Sequence, residues 1–308
     1  MMQRYAVFTG SCQSLSAIQY LQQTNKLACV VLADAEPNPD LMQLQQLLHQ
    51  AQIPTLQYNQ HDDMALIADL DRLGANRGVI YLFRHILKQT LISYFDGSLV
   101  NIHPSPLPEY RGPFPLYWQI RNGEQATKLT LHRVTSEVDS GDIATDIDLI
   151  IHPFDTISVV NQKVSQALPH LLNTFCQLEE QENISWREQD TCFEHFAPML
   201  EPQQLAINWC KQPTSEIVNM CRAGNVDVGC ATFCLRQEMF QLLQASELEC
   251  DIKGVQAGTV IQLSRREGLV IKTLDGAVCL DVIGTQQGLF DGYRFAVLFG
   301  LDAGFSLI

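Results

Sequence analysis

The 308-residue chain lacks long hydrophobic runs, is short of cations, and carries none of the common nucleotide-binding glycine patterns. No apolar stretch approaches the ~20 residues that a helix needs to cross a bilayer, so a membrane partner is not expected. Lys and Arg number 20 against 34 Asp and Glu, a formal charge of −14. That acid excess speaks against a nonspecific nucleic-acid surface, which relies on clustered Lys and Arg. Residues 205–308 are less acidic, with eight Lys and Arg against eleven Asp and Glu, but they are not basic. The opening MMQRYAVFTG passes directly into a strand-like run and a glycine, so no secretory leader is expected. The glycine in FTGSCQSLS is not part of a GxGxxG pattern, which counts against a dinucleotide cofactor. Neither a GxxxxGKS/T phosphate loop nor a GxSxG elbow is present. The ten cysteines include no CxxC pair; the closest two, Cys230 and Cys234, fall on one side of the strand-like CATFC. Reduced, structural thiols are expected rather than metal ligands, with no metal and a cytoplasmic setting.

What is present is ordinary globular composition, 46% hydrophobic with a mean hydropathy of −0.01, and a length sufficient for two domains. Through the first two thirds, strand and helix patterns alternate. YAVFTG, LACVVLAD, TLQYN, RGVIYLF and SLVNIHP read as strands. Between them, Ser14 to Gln23, Asp40 to Gln52 and Met64 to Leu73 read as helices; Leu41, Leu44, Leu47 and Leu48 mark one apolar face. Buried β-rich runs separated by amphipathic helices predict an α/β fold: a mostly parallel, Rossmann-like sheet with helices on both faces. KLTLHRV and DIATDIDLII add strands, and Thr156 to Glu180 a long helix. The polar, proline-bearing stretch 182–203 lacks a clear period. The boundaries expected are a first domain at 1–190, a linker at 191–204 and a second domain at 205–308. In that last region a helix at Ser215 to Ala223 precedes CATFCL, MFQLLQA, TVIQLS, GLVIKTL and AVCLDVI, short strands that predict a small OB-like β-barrel.

Chemistry concentrates in NIHPSPLPEYRG, residues 101–112. Asn101 and His103 stand two apart at the end of an apolar strand, so both heads point to one side. In a parallel sheet, ligands bind beyond such strand ends. The proline-bounded loop that follows carries one cation, Arg111, open between a substrate anchor and a loop staple. Further on, in TSEVDSGDI, Asp139 stands in a turn of small residues, with Asp142 as a solvated neighbour. Singly, Asn101 reads as a turn cap and His103 as a buried structural histidine; the pair together with Asp139 favours a site. His132 in its strand is expected to pack, and Tyr117 and Trp118 to belong to a core.

NIHPSPLPEYRG, followed by PFPLYWQIRNGE and LTLHRVTSEVDSGDI, resembles the 10-formyltetrahydrofolate-dependent formyltransferases. Their shared motif is Asn-x-His-Pro-Ser-x-Leu-Pro-x-Tyr/Trp-Arg-Gly with a later Asp-x-Gly. The match runs through residues 1–180 and is dense between 78 and 150. The chain departs at Pro106, where Leu is usual, and at GSCQSL in place of the commoner GTPxF. The resemblance implies formyl transfer from 10-formyltetrahydrofolate, as co-substrate, to a primary amine. Asn101, His103 and Asp139 then take the catalytic roles. Asn101 and a charged His103 would hold the developing oxyanion, one such donor being worth ~3–4 kcal/mol of barrier. Asp139 would assist proton removal from the amine and keep His103 charged. FRHIL, with Phe83, Arg84, His85, Ile86 and Leu87, resembles the folate-cradling loop of members acting on nucleotide-linked amino sugars, and PLYWQIRNGE resembles those members more than the methionyl-tRNA enzymes. A small-molecule amine is therefore the expected acceptor. Methionyl-tRNA is the alternative, disfavoured by the acidic charge, and an inactive folate-binding or regulatory homologue is a third reading.

Overall fold

The computed structural model describes residues 3–307 except 34, 35, 37, 191, 193, 226, 227 and 251. The end of the expected strand LACVVLAD (Asp34) and the first linker position (residue 191) thus lie outside the described residues. The chain divides into two compact units. Unit 1 comprises residues 1–113, 126–150 and 161–197; unit 2 comprises 114–125, 151–160 and 198–308.

Unit 1 is built on a seven-stranded sheet. In chain order its strands are β1 (Tyr5–Thr9), β2 (Leu27–Leu32), β3 (Thr55–Gln57), β4 (Arg77–Ile80), β5 (Leu99–His103), β6 (Ala126–Arg133) and β7 (Ile143–Ile150), arranged β3-β2-β1-β4-β5-β6-β7. The first five are mutually parallel, and β6 and β7 add antiparallel at one side. Every residue of β1 is buried, as a central parallel strand covered on both faces must be. Its alternation splits the layers. Ala6 and Phe8 share a core with Leu66 and Leu70 of α3 (Asp63–Arg72) and Leu91 and Phe95 in and after α4 (Gln89–Tyr94). Tyr5 turns the other way, its hydroxyl bonding Glu179 near the end of α6 (Ile157–Glu180). Against α6 lies α1 (Leu15–Gln23), where Tyr20 Oη meets Asn173 Oδ1 at 3.1 Å. The helices start where local chemistry asks. Asn38 caps α2 (Pro39–Gln50) through Leu41 N at 2.9 Å with Pro39 in its first turn, and Asp62 caps α3 through Ala65 N at 3.0 Å.

RGVIYLF is strand only as far as Ile80. Leu82 takes a φ of 53° and its carbonyl accepts Gly10 N–H at 3.0 Å, so the chain leaves the sheet there. That exit starts the loop 82–88 at the carboxyl end of β4, beside the carboxyl end of β5.

In unit 2, α8 (Thr214–Ala223) packs with an antiparallel sheet of β8 (Ala231–Leu235), β9 (Glu238–Leu248), β10 (Val260–Ser264), β11 (Gly268–Lys272), β12 (Ala277–Thr285) and β13 (Gly288–Phe290). The helices α5 (Pro115–Arg121), α7 (Pro202–Leu205) and α9 (Gly292–Phe299) complete the unit's elements. The order is β10-β11-β12-β9-β8, with β13 on β12. Among the described residues no ladder joins β8 to β10, so the strands form the antiparallel sheet of the expected OB-like domain without a β8–β10 closure. Its core is aromatic: Phe233, Phe240 and Phe295 meet with ring centroids 5.1–5.8 Å apart. Tyr117 is buried, and Trp118 donates its indole N–H to Pro198 O at 2.9 Å. Cys230 is buried and Cys234, between the buried Phe233 and Leu235, is exposed, so the two do not share surroundings. No helix among the described residues is long and apolar enough to cross a membrane.

Candidate active site

The antiparallel β5–β6 ladder places His132 directly across from Asn101, and Thr130 across from His103. Residues opposed in this way on one face are in contact. Beyond β6 the chain folds back sharply. A Cβ on Gly141 would overlap the Arg133 carbonyl, so the turn closes only with glycine there. The same turn holds Asp139 at a φ of 54°, an uncommon conformation for a residue with a side chain. Its carboxylate thereby reaches back over the end of β5.

Four groups converge on that carboxylate. Asn101 Nδ2 donates to Oδ1 at 3.0 Å and Gly112 N–H donates to Oδ2 at 2.9 Å. His103 Nδ1 lies 3.5 Å from Oδ2, and His132 Nε2 lies 3.5 Å from Oδ1. Asn101 Nδ2 also stands 3.1 Å from His132 Nε2. Carbonyl oxygens only accept, and this fixes the protons. His132 Nδ1 bonds Arg133 O at 2.8 Å, so it carries hydrogen and leaves Nε2 to accept from Asn101. His103 Nε2 bonds Tyr110 O at 2.8 Å, so its other nitrogen, facing Asp139, holds the lone pair in the neutral ring. Both amide hydrogens of Asn101 are therefore engaged, one by Asp139 and one by His132.

Burial opposes charge on Asp139, yet His103, His132 and the Gly112 N–H outweigh it and hold the carboxyl well below the usual carboxylate range. For His103, burial lowers the pKa from its ordinary 6.5 despite the pull of Asp139. The expectation of a histidine held charged is thus reversed in direction. The ring is 5% exposed, and desolvation of an imidazolium outweighs one carboxylate.

The loop between these groups is tightly tied. Ser105 Oγ donates to Glu109 O at 2.7 Å, and Thr130 Oγ1 donates to Ser105 O at 2.6 Å. Tyr110 sits at a φ of 58°, which turns its carbonyl to His103. Gly112 has a φ of 110°, and a Cβ there would press on Ala197 O and the Phe196 ring at 2.9 Å. Arg111 is 6% exposed, with its guanidinium bonded to Gln189 Oε1 at 2.7 and 3.1 Å and to Glu194 at 2.9 Å. Its backbone pairs with His195 and Ala197, so these four described residues of the 191–204 stretch, 194–197, lie on the loop.

The structure places FRHIL apart from the carboxylate cluster in sequence but at the neighbouring strand end. Leu87 is buried in the core; Phe83 and His85 form an aromatic cluster with Tyr58, with centroids 5.3–5.7 Å apart. Arg84 and Ile86 face outward, Ile86 with 73% of its surface exposed. Asp142 lies outside the carboxylate cluster, 3.9 Å from Arg133 Nη1. Sequence reasoning missed His132 and Gln189. The first could be found only from the β5–β6 register, and the second has no local signal.

Residues 3–175 match the family described as formyl transferase, and residues 199–288 match the formyl transferase C-terminal domain. A methionyl-tRNA formyltransferase of Pseudothermotoga lettingae is 28% identical over 213 residues, 69% of this chain and 68% of that protein. HypX from Aquifex aeolicus, solved with tetrahydrofolic acid, superposes with a TM-score of 0.63 at 18% identity over 97% of this chain; the chain spans about half (48%) of HypX. The N-formyltransferase from Helicobacter canadensis, solved with folinic acid and dTDP-3-aminofucose, gives a TM-score of 0.64 at 16% identity, covering 90% of this chain and 98% of that one. These two likenesses concern the fold.

Proposed function

The chain belongs to the formyl transferase family, and from that premise we propose that it moves a formyl group from 10-formyltetrahydrofolate to a primary amine of a small molecule, such as a nucleotide-linked amino sugar. The observation that carries this reading is the meeting of Asn101, His103 and Asp139 around one carboxylate at a strand end. The co-substrate supplies the formyl carbon as an activated amide. Arg84 to Leu87 would hold its pterin through loop backbone and the Ile86 side chain.

Attack by an amine puts negative charge on the formyl oxygen and a proton in excess on the nitrogen. Asn101 answers the first by turning an N–H, engaged at rest by Asp139, to the oxygen; a placed donor of this kind is worth ~3–4 kcal/mol. His103 answers the second. Tyr110 O fixes hydrogen on Nε2, so Nδ1 is the nitrogen that takes the proton. The new N–H then points at Asp139 Oδ2, and a neutral histidine becomes an ion pair only as the amine reacts. A base of lowered pKa suits this, because it is free to accept a proton at neutral pH. The bond from the carbon to the folate nitrogen breaks, and that nitrogen regains a proton, returning His103 to neutral. Arg111, saturated by Gln189 and Glu194, acts in this reading as a staple.

A second acceptor, methionyl-tRNA, is favoured by the relative of Pseudothermotoga lettingae and disfavoured by the charge of −14. Turnover assays with 10-formyltetrahydrofolate and matched panels of sugar-nucleotide amines and methionyl-tRNA separate the two. The small-amine reading predicts turnover with the former and weak, steeply salt-dependent tRNA binding. Efficient formylation of methionyl-tRNA at physiological salt would replace it, and no turnover with any amine would leave a folate-binding homologue.

A further inference from the structure

We propose that Gln189 is a positioning residue for formyl transfer, setting Asp139 against His103 by locking the turn of one to the loop of the other. This rests on the reading given under Proposed function. The side chain is 7% exposed and every hydrogen-bonding valence of its amide is filled. Oε1 accepts Arg111 Nη2 at 2.7 Å and Nε at 3.1 Å. Nε2 donates to Asp139 O at 2.9 Å and Gly141 O at 2.7 Å. An amide offers two lone pairs and two hydrogens, and these four partners use them all. The orientation is forced. A flipped amide would set its NH2 against the guanidinium hydrogens and its oxygen against two carbonyls.

The consequence lies in what those partners hold. Asp139 sits in the left-handed region at a φ of 54°, a conformation that persists when its surroundings over-determine it. Gln189 binds the carbonyl of that residue and the carbonyl two residues on, so it grips the turn on both sides of the Asp139–Gly141 step. The carboxylate itself is held by Gly112 N–H, next in the chain to Arg111. One amide therefore fixes the backbone that carries Asp139 and, through Arg111, the loop that receives its carboxylate. Free to relax, the turn would change the 3.5 Å separation between His103 Nδ1 and Asp139 Oδ2. Displacements of ~1 Å by residues away from the chemistry cost rate up to ~10²-fold.

Two variants divide the tie. Gln189→Glu keeps an acceptor for Arg111 but has no hydrogens for Asp139 O and Gly141 O. Gln189→Met removes both halves at similar size. Steady-state kinetics on the full chain, with the wild type as reference, are expected to show kcat lowered by at least ~10-fold in both, with the KM for folate unchanged. Gln189→Glu is expected to fold with Arg111 still paired but to melt below wild type, because its second oxygen faces the Asp139 and Gly141 carbonyls, so its rate is taken per folded molecule. In Gln189→Met the acid limb of kcat moves to lower pH, because His103 loses the carboxylate that raises its pKa, while the other groups facing it, His132 and Arg111, are unchanged by the substitution. Wild-type kcat in Gln189→Glu overturns the proposal, as does a loss in either variant that only follows the folded fraction with an unmoved pH profile. If Gln189→Met does not fold, the Gln189→Glu rate decides. A wild type without formyl transfer refutes the functional reading instead.

Discussion

Asp139→Asn is the substitution that tests the site most directly, because the carboxylate is both an acceptor for neutral donors and the counter-charge of an imidazole. Consider the charge first. When His103 takes a proton, the imidazolium and Asp139 stand 3.5 Å apart. At an effective dielectric of ~20 that pair is worth about 5 kcal/mol. An asparagine keeps an oxygen dipole but no charge, so roughly 3–4 kcal/mol of that is lost where the proton moves, or ~10²–10³-fold in kcat. The hydrogen bonds give the folding cost. Asn101 and Gly112 both donate to Asp139, and an asparagine offers only one accepting atom. Whichever oxygen survives, one NH2 faces a donor. If the Asn101 amide flips to compensate, its oxygen meets the lone pair of His132 Nε2, whose tautomer is fixed by Arg133 O. One buried donor is left unpaired, a cost of about 1–3 kcal/mol. Single-turnover formyl transfer, folate affinity and urea unfolding measured on one preparation separate these effects. Folate affinity is expected to hold while the chemical step falls. Single-turnover rates within ~3-fold of wild type would remove Asp139 from the proton path, whatever happens to stability.

His103 gives a pH dependence of known sign. Its folded pKa lies below the ordinary 6.5, so below about pH 6.5 the unfolded chain binds more protons and stability falls as pH falls, by up to ~1.4 kcal/mol per pH unit. Urea titrations from pH 7.5 to 5 are expected to show a shallower slope in His103→Gln, and identical slopes would refute the shift. Asp139, depressed from 3.8, adds a separate loss only as pH falls below that value. Arg111→Met strands Gln189 Oε1 and is expected to cost about 2–4 kcal/mol of stability with the acceptor KM little changed; a raised KM at normal stability would restore the anchor role. His132→Phe removes one of the two acceptors of the Asn101 amide and is expected to lower kcat ~10-fold by loosening it. An unaltered kcat would make His132 a packing residue.

Much of the fold was legible because its determinants are local. The buried strands YAVFT and LACVVL and the leucine stripe of α2 carry their own periodicity. RGVIYLF misled for an equally local reason. Apolar character continues past Ile80, while the carbonyl that turns Leu82 out of the sheet answers an N–H on Gly10, more than 70 residues earlier. In unit 2 the individual strands could be read, but closure depends on whether β8 and β10 find each other, and no residue in either encodes its partner.

The site divides along the same line. Asn101 and His103 declare themselves through a spacing of two on a strand, a geometric fact that the chain carries wherever that strand ends up. His132 has the same residue type as His103 and stands on an equally apolar strand, yet its meaning depends on a register, Asn101 against His132, that a one-residue slip would have reversed to the other face. Arg111 was ambiguous because a guanidinium binds a phosphate and a protein amide with the same hydrogens. What holds it in the folded chain is a glutamine 78 positions later in a stretch with no pattern at all. Groups that meet substrate need particular chemistry and so stand out by type. Groups that hold them in place need only a hydrogen bond in the right direction, which ordinary residues supply. A buried, saturated amide such as Gln189 is therefore found by accounting for every donor and acceptor in the folded chain, and by no reading of its neighbours in sequence.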